Sequence, residues 1–374
     1  SSATDGTVIQ PAEPDLGESA FPDDAGSGVT HIEPAGIPLA ERSPDPSNPS
    51  SLIGRRLDRY EIVELIGFGN MGAVYRAKDR RLERQGAIKV PLSHPQLDAE
   101  IRQRFLREAK SMAQISHPAV CSIFDVGDNP QLPWFAMELV QGETLGQWAA
   151  RRELAQHEAA AVVAQVAGGL GALHAAGVIH RDIKASNIMI RSTGEPLLMD
   201  FGLASYDEDS QLTRTGSLLG TPAYMAPEVV EGGGNAADAR SDVYSLGVVL
   251  YQLLTGKLPF TGPVTRIFAE IVYRDVERPS QLRKDLNPDL EAICLKAMAK
   301  EPAERFQSAA ELIDALSAWA AATASNAGEL SGSSDADEPS PLEPVTAPPV
   351  ERTLDRRRAV LVAGVLGVLG IALF

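Results

Sequence analysis

The chain has 374 residues, 44% of them hydrophobic, and a formal net charge of −16, enough apolar side chain for one large two-lobed domain or two ordinary ones. The acidic excess excludes a basic nucleic-acid footprint, so no nucleic-acid partner is expected. Cys121 and Cys294 have no CxxC partner and no histidine at metal-ligand spacing, which excludes a zinc site and a disulfide framework and leaves two buried thiols.

The charge is concentrated in two tails. Residues 1–50 carry nine acidic side chains against Arg42, and residues 321–355 carry seven against Arg352. Residues 1–53 are rich in Pro, Gly, Ser and Asp with no sustained apolar period, which predicts a disordered acidic tail. A basic stretch followed by an apolar one is lacking there, so this is not a secretory signal.

From Tyr60 the texture turns to short β-like runs, EIVELIG, AVYRAKD and GAIKVPL. Between the first two lies Gly67-Phe68-Gly69-Asn70-Met71-Gly72-Ala73-Val74, a GxGxxGxV pattern preceded by Ile66. Glycines there let backbone N–H groups approach phosphate oxygens with no side chain in the way. A dinucleotide-binding turn shares GxGxxG but opens a helix, whereas this loop leads into a strand-like run. The third run holds Ala87-Ile88-Lys89, a cation between apolar neighbours, 17 residues past Gly72.

Residues Ala99 to Ile115 read as a charged amphipathic helix bearing Glu108, which taken singly is an exposed helix charge. Trp134 to Gly142, with Met137, Glu138 and Val140, reads as a buried strand ending at a turn. Glu158 to Ala175 is an Ala-rich buried helix, and Asp242 to Thr255 a strongly apolar one. Strands first and helices later suggest a β-rich lobe joined to a larger helical one.

The strongest signal is His180-Arg181-Asp182-Ile183-Lys184-Ala185-Ser186-Asn187. Asp182 has the chemistry to accept a hydroxyl proton as catalytic base, Lys184 to neutralise charge on a transferred phosphoryl group, and Asn187 to offer a neutral oxygen to Mg²⁺. Asp200-Phe201-Gly202 follows 13 residues past Asn187, and Asp200 would chelate the same class of cation. Gly220-Thr221-Pro222-Ala223-Tyr224, Ala226-Pro227-Glu228 and Lys300-Glu301-Pro302-Ala303-Glu304-Arg305-Phe306 come next.

These motifs, over roughly 260 of the 374 residues, resemble a eukaryotic-type Ser/Thr protein kinase, and the order of segments is similar to that of bacterial receptor-like, membrane-anchored kinases. The resemblance implies an α+β, two-lobed protein kinase fold over residues 54–320. A small β-rich N-lobe with one key helix would occupy about 54–139 and a larger helical C-lobe about 140–320. It implies ATP and Mg²⁺ as cofactors and protein Ser/Thr hydroxyls as substrates. ATP would be bound by Ile66, Gly67, Gly69, Gly72, Val74, Ala87 and Lys89. Met137 would be the gatekeeper, with Glu138 and Val140 offering backbone groups to adenine.

By the same resemblance Lys89 pairs with Glu108, and Asp182, Lys184 and Asn187 act with them as the catalytic set. Asn187 and Asp200 would hold the metal. His180 would be structural, Asp242 would brace the catalytic loop, Thr221 would lie near Asp182 and Lys184, and Glu228 would pair with Arg305. The lysine two residues after Asp182 resembles the Ser/Thr branch. Arg181 would await a phosphate on Thr213, Thr215 or Ser217, placed there by autophosphorylation in trans within a homodimer. A catalytically silent scaffold of the same fold typically lacks one of Lys89, Asp182, Asn187 or Asp200, all present here. Small-molecule phosphotransferases with a kinase-like fold usually lack the Ala226-Pro227-Glu228 segment.

Beyond a linker over 321–355 expected to be disordered, Arg356, Arg357 and Arg358 precede Ala359 to Phe374, which has no polar side chain. The basic flank predicts a single-pass transmembrane helix over 356–374 with the kinase domain cytoplasmic. Sixteen helical residues reach only about 24 Å against a hydrocarbon core of about 30 Å, so the span is expected to continue past residue 374. Gly364, Gly367 and Gly370 recur every three residues, not four, so the small-xxx-small pattern is not met and no helix dimer is drawn from them.

Overall fold

The computed structural model describes residues 48–69, 72–91, 99–128, 132–200 and 222–332. The expected N-terminal tail up to residue 47, the phosphorylation sites Thr213, Thr215 and Ser217, Thr221, and the apolar run 359–374 lie outside the described residues. Among the described residues no helix is long and apolar enough to cross a membrane. The chain divides into two units, 1–319 and 320–374, the second described only over 320–332, where it is helical.

The first unit begins with a six-stranded antiparallel sheet in the order β1-β2-β3-β4-β6-β5. Its strands are β1 (Arg56–Leu57), β2 (Tyr60–Gly69), β3 (Gly72–Asp79), β4 (Arg84–Val90), β5 (Ile123–Gly127) and β6 (Trp134–Met137), with helix α1 (Ala99–Met112) inserted between β4 and β5. Side chains alternate across a strand, and the register sorts them into two buried faces. Tyr60, Ile62, Tyr75, Ile88, Val90 and Trp134 form one core. Ala87, Phe135 and Met137, with Val74 packed against them, belong to the other. Gly67 pairs with Val74, Val74 with Lys89, and Lys89 with Phe135; in the adjacent row Ala87 pairs with Met137. The expected nucleotide residues Gly67, Val74, Ala87, Lys89 and Met137 therefore share one face.

Helix α1 seals the end of that face with a stripe of Phe105, Leu106, Ala109 and Met112, at helical spacing. The Phe105 and Phe135 rings lie 5.5 Å apart.

Residues just before the expected start at residue 54 are also ordered against the sheet. Pro49–Leu52 forms a 3₁₀ turn capped by Asn48, Leu52 is buried, and the Tyr75 hydroxyl donates to the Pro49 carbonyl at 2.8 Å. Burial of one leucine under the sheet is what draws residues 48–53 into the folded lobe.

A second, three-stranded sheet follows: β7 (Gly142–Thr144), β8 (Ile188–Arg191) and β9 (Pro196–Leu198), in that spatial order. Helices α2 (Leu145–Ala150) and α3 (Gln156–Ala175) pack against it, and α4 (Pro227–Gly232), α5 (Ala239–Thr255), α6 (Val264–Tyr273), α7 (Pro279–Leu282), α8 (Pro288–Ala297) and α9 (Ala309–Gly332) follow in the chain. Helix α3 is apolar on nearly every side because it is central, burying Ala160, Val163, Val166, Ala167, Leu170 and Leu173. At its start the Ala155 amide donates to the Glu158 carboxylate, which satisfies an otherwise orphaned donor. Helix α5 is capped by Asp238, which accepts from the Arg240 amide at 2.7 Å, and is stopped by Gly256 at φ 72°, a left-handed conformation that suits glycine. Helix α9 extends twelve residues into the segment expected to be a structureless linker. The Ala-rich stretch there, Ala320-Ala321-Ala322, has high intrinsic helix propensity.

Candidate active site

The cleft between the two sheets gathers residues from distant parts of the chain. Lys89, on the buried face of β4, lies with Nζ 2.6 Å from Oδ1 of Asp200, 111 residues later. Only 5% of the lysine side chain is exposed, against 35% for the aspartate, so the ammonium is sheltered while the carboxylate faces the opening. The structure thus describes Asp200 as a partner of Lys89. Glu108 is half-buried on α1 beside the Phe105–Ala109 stripe.

The loop from His180 to Asn187 is held from below by Asp242 of α5. One oxygen of that buried carboxylate accepts from the His180 amide at 2.8 Å and lies 2.8 Å from His174 Nε2, and the other accepts from the Arg181 amide at 2.8 Å. The predicted brace is present. Its geometry places Arg181 at φ 64°, strain that the three anchors over-determine.

His180 is fully buried, and its ring bridges the loop to β9. Nε2 lies 3.1 Å from the Met199 carbonyl, and Nδ1 lies 3.3 Å from the Asp182 amide. The Asp182 contact needs an accepting Nδ1, so the proton is assigned to Nε2. Burial pushes the imidazole below its ordinary value, outweighing the nearby Asp242 and Asp182 carboxylates. A neutral ring with both nitrogens engaged is a structural strut rather than a base.

Asp182 is the focus of the loop. Lys184 Nζ lies 2.9 and 2.8 Å from its two carboxylate oxygens. Asn187 Nδ2 donates to the Asp182 carbonyl at 2.9 Å and to its Oδ2 at 2.7 Å. The amide is thereby oriented, and Oδ1 is the atom it offers to a cation. The Met199 amide donates to the Asn187 carbonyl at 2.8 Å, which sets Asp200, at φ 49°, one residue beyond the backbone partner of Asn187. A carboxylate and an amide oxygen are hard donors suited to Mg²⁺, which takes few protein ligands and completes its shell with phosphates and water.

On the sheet side, Ala87 is buried opposite Met137, and Val74 is half-buried. Ile66 and Phe68 are exposed at the rim. Gly67 and Gly69 lie on β2 and Gly72 opens β3, two strands paired antiparallel, so a strand and not a helix follows the glycines, as the sequence predicted. At Gly72, φ is 130° and a Cβ would lie 2.2 Å from the Val90 carbonyl, so only glycine fits. Beyond Met137 the chain leaves β6. The Glu138 amide donates to the Ser122 carbonyl at 3.0 Å, and Val140 is half-buried two residues on.

Helix α4 is fastened to the body by Glu228. Arg305, with no exposed side-chain surface, grips it through both terminal nitrogens at 2.8 and 2.7 Å, and the Ser241 hydroxyl donates at 2.6 Å. Arg305 also donates to the carbonyls of Ala299, Lys300 and Arg240. His174 and Arg191 were not singled out from sequence. A lone helix histidine and a strand-end arginine carry no local signal, and both gain their place only through partners far along the chain.

The protein kinase domain family matches residues 60–316. The chain is 42% identical over 264 residues to the serine/threonine-protein kinase PknB of Mycobacterium tuberculosis, covering 68% of this chain and 42% of the relative. It is 40% identical over 267 residues to a probable serine/threonine-protein kinase PknB of Corynebacterium glutamicum, covering 68% and 41%. The chain thus spans about 42% of the length of the PknB relatives it matches. Among solved structures, the kinase domain of Mycobacterium tuberculosis PknI superposes with a TM-score of 0.56 at 31% identity, covering 71% of this chain and 97% of that one.

Proposed function

The chain belongs to the protein kinase domain family, and from that membership we propose that it is an ATP-dependent protein serine/threonine kinase with Asp182 as its catalytic base. The observation that carries the reading is the meeting of Asp182, Lys184 and Asn187 in one hydrogen-bonded cluster beneath the Lys89–Asp200 pair.

In this reading adenine lies against the face formed by Val74, Ala87 and Met137. Ile66 covers it from the rim, and it meets the backbone of Glu138 and Val140. The glycines at 67, 69 and 72 let main-chain amides close over the phosphates. Lys89, aligned by Glu108, neutralises the inner phosphates. Asn187 and Asp200 would hold Mg²⁺, which would supply charge neutralisation when bound. Asp182 accepts the hydrogen bond of a Ser or Thr hydroxyl and orients it in line with the γ-phosphorus. Lys184, already bonded to Asp182, is the cation for charge that develops on the transferred group. The Lys184 position and the names of the PknB relatives both support Ser/Thr over Tyr acceptors.

Three finer elements join the proposal. Residues 54–320 with the 48–53 extension act as the catalytic unit. Thr213, Thr215 or Ser217 is autophosphorylated in trans within a homodimer and pairs with Arg181. Residues 356–374 begin a membrane anchor with the kinase on the cytoplasmic side, which the Arg356–Arg358 flank and the apolar run support.

The test incubates the protein with Mg-ATP and a generic basic protein, alongside Asp182→Ala. The variant is expected to lose about 10²–10⁴-fold in rate, the range for removing a positioned general base. Equal labelling of the substrate by both proteins would reject the assignment.

A further inference from the structure

The four residues after β6, 138–141, belong to no strand or helix, yet they must present backbone groups at fixed positions if they are to recognise a flat heterocycle. On the sheet side their described backbone tie is the Glu138 amide to the Ser122 carbonyl. A further tie, toward the second sheet, is a side chain. Glu138 sends its carboxylate toward β8, where Arg191 takes it with both terminal nitrogens, Nη2 to Oε2 at 3.0 Å and Nη1 to Oε1. Both side chains are about three-quarters buried, at 28% and 26% exposure. A guanidinium fork on a carboxylate fixes direction as well as distance, which a single point charge does not.

Arg191 is itself rigidly placed. It ends β8, pairs with Gly142 of β7, and donates its amide to the Glu195 carbonyl at 2.9 Å, while the neighbouring Ser192 amide donates to Gln141 at 3.0 Å. The β8–β9 hairpin that it anchors has Asn187 directly before its first strand and Asp200 two residues after its second. One ion pair thus couples the first residue of the connecting segment to the hairpin that carries both candidate metal ligands.

We propose that Arg191 is a positioning residue for nucleotide recognition: through the Glu138 carboxylate it holds the 138–141 backbone in register with adenine, without touching the nucleotide. The inference rests on the kinase reading above for the identity of the ligand. Loss of the fork leaves the phosphate side of the cleft intact and loosens the adenine side, so its effect is specific to part of one ligand.

The experiment compares the full chain with Arg191→Met, Arg191→Lys and Glu138→Gln. Steady-state kinetics with ATP are read beside inhibition by adenosine, which lacks phosphates, and by inorganic tripolyphosphate with Mg²⁺, which lacks adenine. Arg191→Met is expected to raise the KM for ATP about tenfold and to weaken adenosine by the same factor, with kcat within about twofold, as for loss of uniform binding. Tripolyphosphate inhibition should be unchanged. Arg191→Lys and Glu138→Gln should fall between wild type and Arg191→Met, and carry the same comparison if that variant fails to fold. An unchanged KM for ATP, a fall in kcat alone, or equal weakening of adenosine and tripolyphosphate would overturn the proposal. A wild-type protein that transfers no phosphate would instead overturn the kinase reading, and adenosine binding by calorimetry would still report on Arg191.

Discussion

Glu228→Gln is the sharpest test of the energetics described above. The substitution keeps the shape of the side chain but removes the charge that faces Arg305, whose side chain has no exposed surface. Three backbone carbonyls still accept from the guanidinium, so hydrogen bonding is largely preserved and the loss is the uncompensated buried cation. Removing one partner of a buried pair costs about 3 kcal/mol at the lower end of the measured range, which for a domain of this size lowers Tm by about 6–12 °C.

The pH dependence supplies a second reading of the same pair. Burial by itself would raise the Glu228 carboxyl, but hydrogen bonds from Arg305 and Ser241 outweigh it and hold the group below its ordinary range. A carboxyl depressed in the folded state contributes stability above its unfolded value of about 4.3, and that contribution is lost as pH falls through the folded value. Thermal melts of wild type and Glu228→Gln should therefore differ fully at pH 7 and converge below about pH 4 as the native glutamate takes up its proton. Equal Tm values at pH 7, or a gap that widens in acid, would refute the argument.

Other expectations follow from single contacts. Gly142→Ala would place a Cβ 2.0 Å from the Ile190 carbonyl inside the β7–β8 ladder; a loss of about 1–3 kcal/mol in denaturant unfolding is expected, and an unshifted midpoint would contradict it. Asp242→Asn leaves one accepting oxygen where two now serve the His180 and Arg181 amides and His174. Phosphotransfer should drop at least about tenfold with ATP affinity largely kept, since the loop that carries Asp182 loses its anchor; calorimetry beside a rate assay checks both. Cys121 and Cys294 are buried, and burial pushes the Cys121 thiol up to about 12 and the Cys294 thiol up as well. Maleimide at pH 8 should label neither in the folded protein and both in guanidinium, because the thiolate is the nucleophile.

Much of the candidate site could be read before any fold was known, because phosphate transfer demands particular residue types at short spacings. The segment from His180 to Asn187 states its chemistry locally, and the strand texture after Gly72 is enough to reject a dinucleotide turn. Burial of Cys121 and Cys294 followed from composition alone. The boundaries were less legible. Residues 48–53 look like the rest of an acidic tail, and only the space under Tyr75 makes Leu52 a core residue. In the same way Ala320–Gly332 continues a helix where acidic, Ser-rich composition suggested a linker.

Local chemistry therefore singles out the candidate loop from His180 to Asn187 and the cation that precedes it, since those proposed functions depend on what a residue is and on neighbours a few positions away. Partnership across the fold is different. That Lys89 meets Asp200, that His174 shares the Asp242 carboxylate and that Arg191 reaches Glu138 depend on how strands and helices stack, whereas the closing of Arg305 on Glu228 was expected from the family resemblance and is present. A charge on a strand or helix looks alike whether it ends in water or against a buried counter-charge, and packing decides which.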